Sequence, residues 1–212
     1  MLDNPLWASL TTSHRALAYG GAGALRYPAE VAPFVAVAEA GGELGGLVAP
    51  GETLYAVGPR PAGALDDLGT ILQMVCDRPP PVPDGPRIVE LGPAQRADLL
   101  ALAARVYPHY VRPRTPELGR YLGIYDGATL AAMAGLRMAM PGHRELSAIC
   151  THPDHVGRGL ARRLLAVLTA EVAAQGDVPF LHVSPNNARA IRLYEQNGYR
   201  TRIAIAFAAV RR

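Results

Sequence analysis

The chain has 212 residues, half of them hydrophobic, and carries 21 basic against 18 acidic side chains for a formal net charge of +3. That suffices for one substantial core, or an ordinary core with a smaller appended unit, and excludes disorder throughout. No stretch reaches the ~18 uninterrupted apolar residues of a membrane span, and two cysteines, Cys76 and Cys150, are too few for a disulfide framework and lack metal-ligand spacing.

All the Lys/Arg positions are arginine, and they are dispersed rather than gathered on a basic face with interleaved aromatics, so no nucleic-acid partner is expected. The opening Met1-Leu2-Asp3-Asn4-Pro5 has neither the basic start nor the apolar run of a signal peptide; a cytoplasmic protein with no membrane partner is expected. A helix is predicted to begin after Asp3, followed by strands over 34–39 and 53–57 and a helical segment over 65–76. The run Arg78-Pro79-Pro80-Pro81-Val82-Pro83-Asp84-Gly85-Pro86 can continue neither a helix nor a central strand. It marks the expected boundary between an N-terminal α/β unit, 1–84, and a second domain, 85–212.

In the second part the pattern predicts a strand over 87–91, a helix over 93–106 and an arginine- and tyrosine-rich loop over 107–114, with a short helix from Thr115. Strands over 123–125 and 129–140 are joined by Asp126-Gly127, a hairpin dipeptide. A turn at Pro141-Gly142 then leads into 145–151, completing an antiparallel meander. Beyond it lie a helix over 157–175, a strand over 178–184, a helix over 187–197 stopped by Gly198, and a strand-rich end over 199–210.

The most informative stretch is Val156-Gly157-Arg158-Gly159-Leu160-Ala161, where a strand passes through glycines straight into a helix. Free backbone N–H groups and the positive end of the helix dipole make an anion site there. Arg158, Arg162 and Arg163 crowd the first turns, where cations oppose the dipole unless an anion compensates. Glycine pairs alone do not prove a phosphate site, and long arginines also simply reach into solvent. No Gly-Lys-Ser/Thr follows, which disfavours nucleotide triphosphate hydrolysis. Leu160, Leu164, Leu168 and Val172 form a stripe for core packing.

The motif resembles that of the GNAT superfamily of N-acetyltransferases, and the segment Asn187-x-x-Ala190-x-x-x-Tyr194-Glu195-x-x-Gly198-Tyr199 resembles that family's second motif. The resemblance covers about 87–212. Within the superfamily, the run from Glu145 to Pro153 resembles the C-terminal domain of glycine N-acyltransferase-like proteins. The resemblance implies a mixed, mostly antiparallel α/β sheet with flanking helices, a splayed strand pair and a smaller N-terminal α/β unit, and tandem arrangements in this branch raise the possibility that this unit is a reduced second copy packed against the first. It implies acetyl-CoA or another short acyl-CoA as co-substrate, an amine-bearing acceptor and no metal, and it leaves a homodimer open. The backbone of Ile149, Cys150 and Thr151 would meet the pantetheine and acyl carbonyl. The amides of Val156, Gly157, Arg158, Gly159, Leu160 and Ala161 would wrap the pyrophosphate beside Arg162, and Asn187, Ala190 and Tyr194 would complete the cofactor side.

By the same resemblance Glu145 is a base for the amine and Tyr194 an acid for the leaving thiolate. Glu145 reads equally well as a solvated strand-end carboxylate, and Tyr194 also reads as a core aromatic. Val156 replaces the family's Gln or Arg, and Leu136 stands where relatives of this branch often carry Glu. Both departures favour a competing class, a non-catalytic acyl-CoA-binding or interaction module. His152, Asp154 and His155 lie close together but are expected to form a turn rather than a metal site.

Overall fold

The computed structural model describes residues 1–63 and 65–212. Before the proline-rich run the chain forms helix α1 (Pro5–Thr11), a small sheet of β1 (Tyr19–Gly20), β2 (Ala24–Arg26) and β3 (Val35–Val37), then β4 (Thr53–Val57) and β5 (Leu65–Cys76). After it come β6 (Val89–Glu90), α2 (Arg96–Val106), β7 (Tyr121–Asp126), β8 (Thr129–Met140), β9 (His143–Thr151), α3 (Leu160–Ala174), β10 (Val178–Val183), α4 (Ala188–Glu195) and β11 (Tyr199–Arg211).

Eight strands make one sheet in the order β4-β11-β5-β10-β9-β8-β7-β6. Neighbours run antiparallel, except that β9 and β10 are parallel. The β7–β8–β9 meander is turned where the sequence supplies positive φ cheaply, at Gly127 (φ 59°) and Gly142 (φ 75°). Helix α3 lies on one face. Its stripe Leu160, Leu164, Leu168 and Val172 is no more than 4% exposed and packs on Ala132, Ala134, Leu136 and Leu146 of the sheet. Each such side chain contributes roughly 1.5–3 kcal/mol by burial. Helix α1 and the small sheet cover the other face, where Leu6, Leu10, Tyr27 and Phe34 meet Met138, Met140 and Phe180.

The helix expected over 65–76 is strand β5, wedged between β11 and β10. The spacing of Leu65, Leu68, Ile71, Leu72 and Val75 fits a helical face, but Met74, Val75 and Cys76 are all buried, as in a central strand flanked by neighbours on both sides. Tertiary context decided the conformation of a short apolar run whose period is ambiguous. The same wedge means that the expected boundary near residue 84 does not divide the sheet: β4 and β5 precede the prolines yet pair with β10 and β11. Arg163 ties the proline-rich run to α3, donating through Nε to the Pro86 carbonyl (3.0 Å) and through Nη1 to that of Pro83. No helix among the described residues is long and apolar enough to cross a membrane.

Candidate functional site

Strands β9 and β10 stay in register only from Val178↔His143 to Phe180↔Glu145 and separate beyond that point. A bulge accompanies the separation. Ala148 and Ile149 together oppose the single residue Ala134 of β8, and Ala148 takes φ 51°, the one positive value outside glycine among the described residues. A left-handed alanine costs roughly 1–2 kcal/mol, and bulges re-aim backbone groups beside binding sites. Below the bulge a second irregularity sets Arg137 and Met138 of β8 opposite Glu145 alone.

Two cavities open at the splay. The first, about 310 Å³, is lined by Cys150, Thr151, Val156, Gly157, Arg158, Gly159, Leu160, Ala161, Arg162 and Ala190, and by Arg189 and Leu193 of α4. Gly157 (φ 83°) and Gly159 (φ 74°) lie in the left-handed region, and a Cβ on either would meet nothing within 4 Å. The turn is thus an open cradle at the start of α3, shaped for an anion. Of the three arginines thought to need a compensating anion, two are engaged: Arg158 pairs with Asp126 (2.6 Å) and Arg163 with the proline-rich run. Arg162 remains exposed on the cavity rim beside Val156. His152 accepts from the amide of Asp154 (3.3 Å) and so caps the short turn that precedes the cradle.

The second cavity, about 270 Å³, lies over the other side of the splay and is bounded by Phe34, Tyr110, Phe207, Arg137, Glu145 and His182 among others. Tyr107, Ile149, Asn187 and Tyr194 line both cavities. Tyr107 follows α2 and donates to the Ile149 carbonyl (3.1 Å), tying the loop to the bulge. Asn187 caps α4, its Oδ1 accepting from the Ala190 amide (3.1 Å). Tyr194 is 6% exposed, and burial raises its pKa, which keeps the hydroxyl protonated. Cys150 is buried, and burial pushes its thiol up to about 12, so it is no nucleophile at neutral pH.

Glu145 is neither the free base nor the solvated carboxylate that the sequence suggests. It is fully buried, accepts from Nε and Nη2 of Arg137 (2.7 and 2.6 Å), and accepts from Nδ1 of His182 (2.8 Å) and the Met138 amide (3.3 Å). Burial pushes its pKa up, but the Arg137 charge and these hydrogen bonds pull harder and leave it at about 2. A carboxylate so weakly basic is poorly matched to taking a proton at neutral pH. His182 is committed as well. The Gln73 amide is oriented by Arg202, which donates to its Oε1 (2.9 Å), and by the Leu2 carbonyl, which accepts from its Nε2 (2.9 Å). Gln73 Nε2 therefore donates to His182 Nε2 (3.2 Å), so Nδ1 carries the imidazole proton toward Glu145. Arg137 and His182 were not singled out from the sequence, whereas Tyr107 and Tyr110 belong to the tyrosine-rich loop over 107–114 and do line the second cavity. The bulge that turns Arg137 inward depends on strand register, which the near-continuous apolar run 129–140 does not reveal.

A large mostly antiparallel sheet, a splayed parallel pair, a bulge at the splay and a glycine cradle opening a helix together define the GNAT fold. The chain is 37% identical to a protein of Novosphingobium aromaticivorans described as a GNAT-family acetyltransferase, whose structure superposes with a TM-score of 0.89 over 98% of this chain and 96% of that one. The chain belongs to the GNAT family. The family model described as FR47-like protein matches residues 121–208. A stretch of 82 residues is 37% identical to the N-alpha-acetyltransferase RimI of Mycobacterium tuberculosis, covering 37% of this chain and 51% of that protein, so the match spans about half the length of the curated relative. A GCN5-related N-acetyltransferase of Kribbella flavida shares the fold at 17% identity, with a TM-score of 0.65.

Proposed function

We propose that the chain moves an acetyl or other short acyl group from acyl-CoA to a primary amine by direct attack, with the thioester in the first cavity and the acceptor in the second. The observation that carries this reading is the meeting of the two cavities at Tyr107, Ile149, Asn187 and Tyr194. The cradle from Val156 to Ala161 suits a pyrophosphate, and Arg162 stands ready to add a charge. Backbone N–H groups freed where β9 leaves β10 can stabilise the oxyanion that forms as the amine attacks. Tyr194, protonated and at the junction, is placed to give a proton to the departing thiolate.

Glu145 serves this chemistry as a positioning residue, holding Arg137 and His182 against the floor of the acceptor cavity. With both groups committed, the amine arrives already neutral. An α-amine, with pKa about 7.7–8.0, is neutral to the extent of about a tenth at pH 7, whereas a lysine amine near 10.4 is almost wholly charged. The name of the RimI relative denotes action on α-amines, which supports the same choice here. The likeness of 145–153 to glycine N-acyltransferase-like proteins supports acyl groups beyond acetyl.

The test is calorimetric titration of the protein with acetyl-CoA, beside the double variant Gly157→Glu, Gly159→Glu. Saturable binding to the wild type that disappears in the variant supports the reading. No binding to a folded wild type would sink it and leave an interaction module with the family's fold.

A further inference from the structure

If the second cavity receives the acceptor, as the acyl-transfer reading holds, its walls define which acceptor fits. Its volume of about 270 Å³ sits at the small end of ligand sites, roughly 300–1,000 Å³, and suits a small molecule or a single residue of a peptide. One wall is aromatic and comes from separate parts of the chain: Phe34 before β3, Tyr110 after α2, and Phe207 of β11. The Phe34 and Tyr110 rings are stacked at 6.3 Å and 8°, and Tyr55 behind them joins Tyr110 (5.0 Å) to Phe207 (5.7 Å). Such a wall favours a planar, apolar body lying edge-on or offset against it.

The floor adds a polar point without adding net charge. Arg137 spends Nε and Nη2 on Glu145, and its guanidinium lies 4.7 Å over the Phe34 ring. Arg137 lines the cavity with 15% of its side chain exposed, and its hydrogen bonds among the described residues use only Nε and Nη2, which leaves Nη1 as a donor for a ligand. Because the Arg137–Glu145 pair is neutral, the floor has no attraction for a cationic side chain but offers Nη1 to an oxygen. Along β9, Glu145 and the junction at Ile149 are separated by four residues, on the order of 10 Å of strand. An acceptor with its amine at the junction therefore extends along the aromatic wall toward Arg137.

We propose that the acceptor is the α-amine of an aromatic residue, an aromatic amino-acid amide or the N-terminal aromatic residue of a short peptide. Its ring lies against Phe34, Tyr110 and Phe207, and a ring oxygen, where present, meets Arg137 Nη1. The N-terminal segment thus contributes Phe34 to an acceptor wall whose other members, Tyr110, Phe207 and Arg137, come from the rest of the chain.

The test is steady-state acetylation by the full chain with acetyl-CoA, using tyrosinamide, phenylalaninamide, alaninamide and Nα-acetyl-lysinamide, with thiol release and product mass as readouts. The three α-amines differ mainly in side chain, so their ranking reports the cavity. Expected is a kcat/KM at least about tenfold higher for the two aromatic amides than for alaninamide, tyrosinamide leading, with no product from Nα-acetyl-lysinamide. Tyr110→Ala should shrink the aromatic advantage to about twofold through KM, and Tyr110→Phe should restore it, with melting curves confirming both folds. Equal turnover of alaninamide or Nα-acetyl-lysinamide, an aromatic preference untouched by Tyr110→Ala, or turnover of no amide by a protein that binds acetyl-CoA would overturn the inference alone. So would a preference for benzoyl-CoA over acetyl-CoA with alaninamide as acceptor, which would assign the aromatic wall to the acyl group. Absence of acetyl-CoA binding would remove the acyl-transfer reading and this inference with it.

Discussion

Glu145 holds a full charge where no water reaches it, and its worth depends on Arg137. Replacing it by glutamine would leave a buried guanidinium without its counter-charge, a loss of about 3–5 kcal/mol. At this chain length that lowers Tm by on the order of 10 °C. The pH dependence has a definite sign. The folded-state pKa is depressed from 4.5 to about 2, so the stabilisation is complete above 4.5 and is lost as pH falls toward 2. Calorimetric melts of Glu145→Gln should show the lower Tm at pH 7 and a shallower fall between pH 4.5 and 2; a variant as stable as the wild type would mean that the pair anchors nothing. Tyr194 makes the opposite kind of contribution, felt in rate rather than stability. Tyr194→Phe should lower kcat about 100-fold while leaving the acetyl-CoA affinity within about twofold, and equal loss of both would return Tyr194 to a packing role.

At the scale of elements, the working part of the fold is the break in β9. Ala148 can adopt φ 51° because its side chain is a single methyl, whereas a β-branched residue there is strongly disfavoured. Ala148→Gly should therefore keep activity and alter stability by no more than about 1 kcal/mol, while Ala148→Val should lose most of kcat/KM because the bulge cannot form without strain. Paired melting and rate measurements check this, and an active Ala148→Val enzyme would show that the bulge is dispensable. Nothing in Ser147-Ala148-Ile149 advertises the bulge, since alanine and isoleucine read as ordinary strand. The glycine cradle, by contrast, was legible, because Gly157 and Gly159 mark positive φ directly and Leu160 onward repeats at helical spacing. The hairpin turns were legible for the same reason. What stayed hidden needed partners distant in sequence: the aromatic wall joins positions 34, 110 and 207, and the role of Glu145 depends on Arg137 and His182, which only register brings to it.

At the scale of the whole molecule, the prolines over 79–86 suggested a seam, and the sheet ignores it. Strand β5 pairs with β11 over ten register positions and with β10 over four, standing in the sheet between two strands that do not pair with each other among the described residues. A fragment comprising 85–212 would lack both β4 and β5, leaving the inner edges of β10 and β11 unpaired and apolar, including Phe180 and Ile205, which α1 and the small sheet otherwise cover. Such a fragment should show no cooperative melting transition and should aggregate when expressed alone, whereas co-expression with 1–84 should recover a soluble complex that binds acetyl-CoA. The outcome separates a domain from a piece of one. If 85–212 melts cooperatively and binds acetyl-CoA by itself, β10 and β11 can close on each other without β5, and the N-terminal segment is an addition to a complete fold rather than part of its sheet.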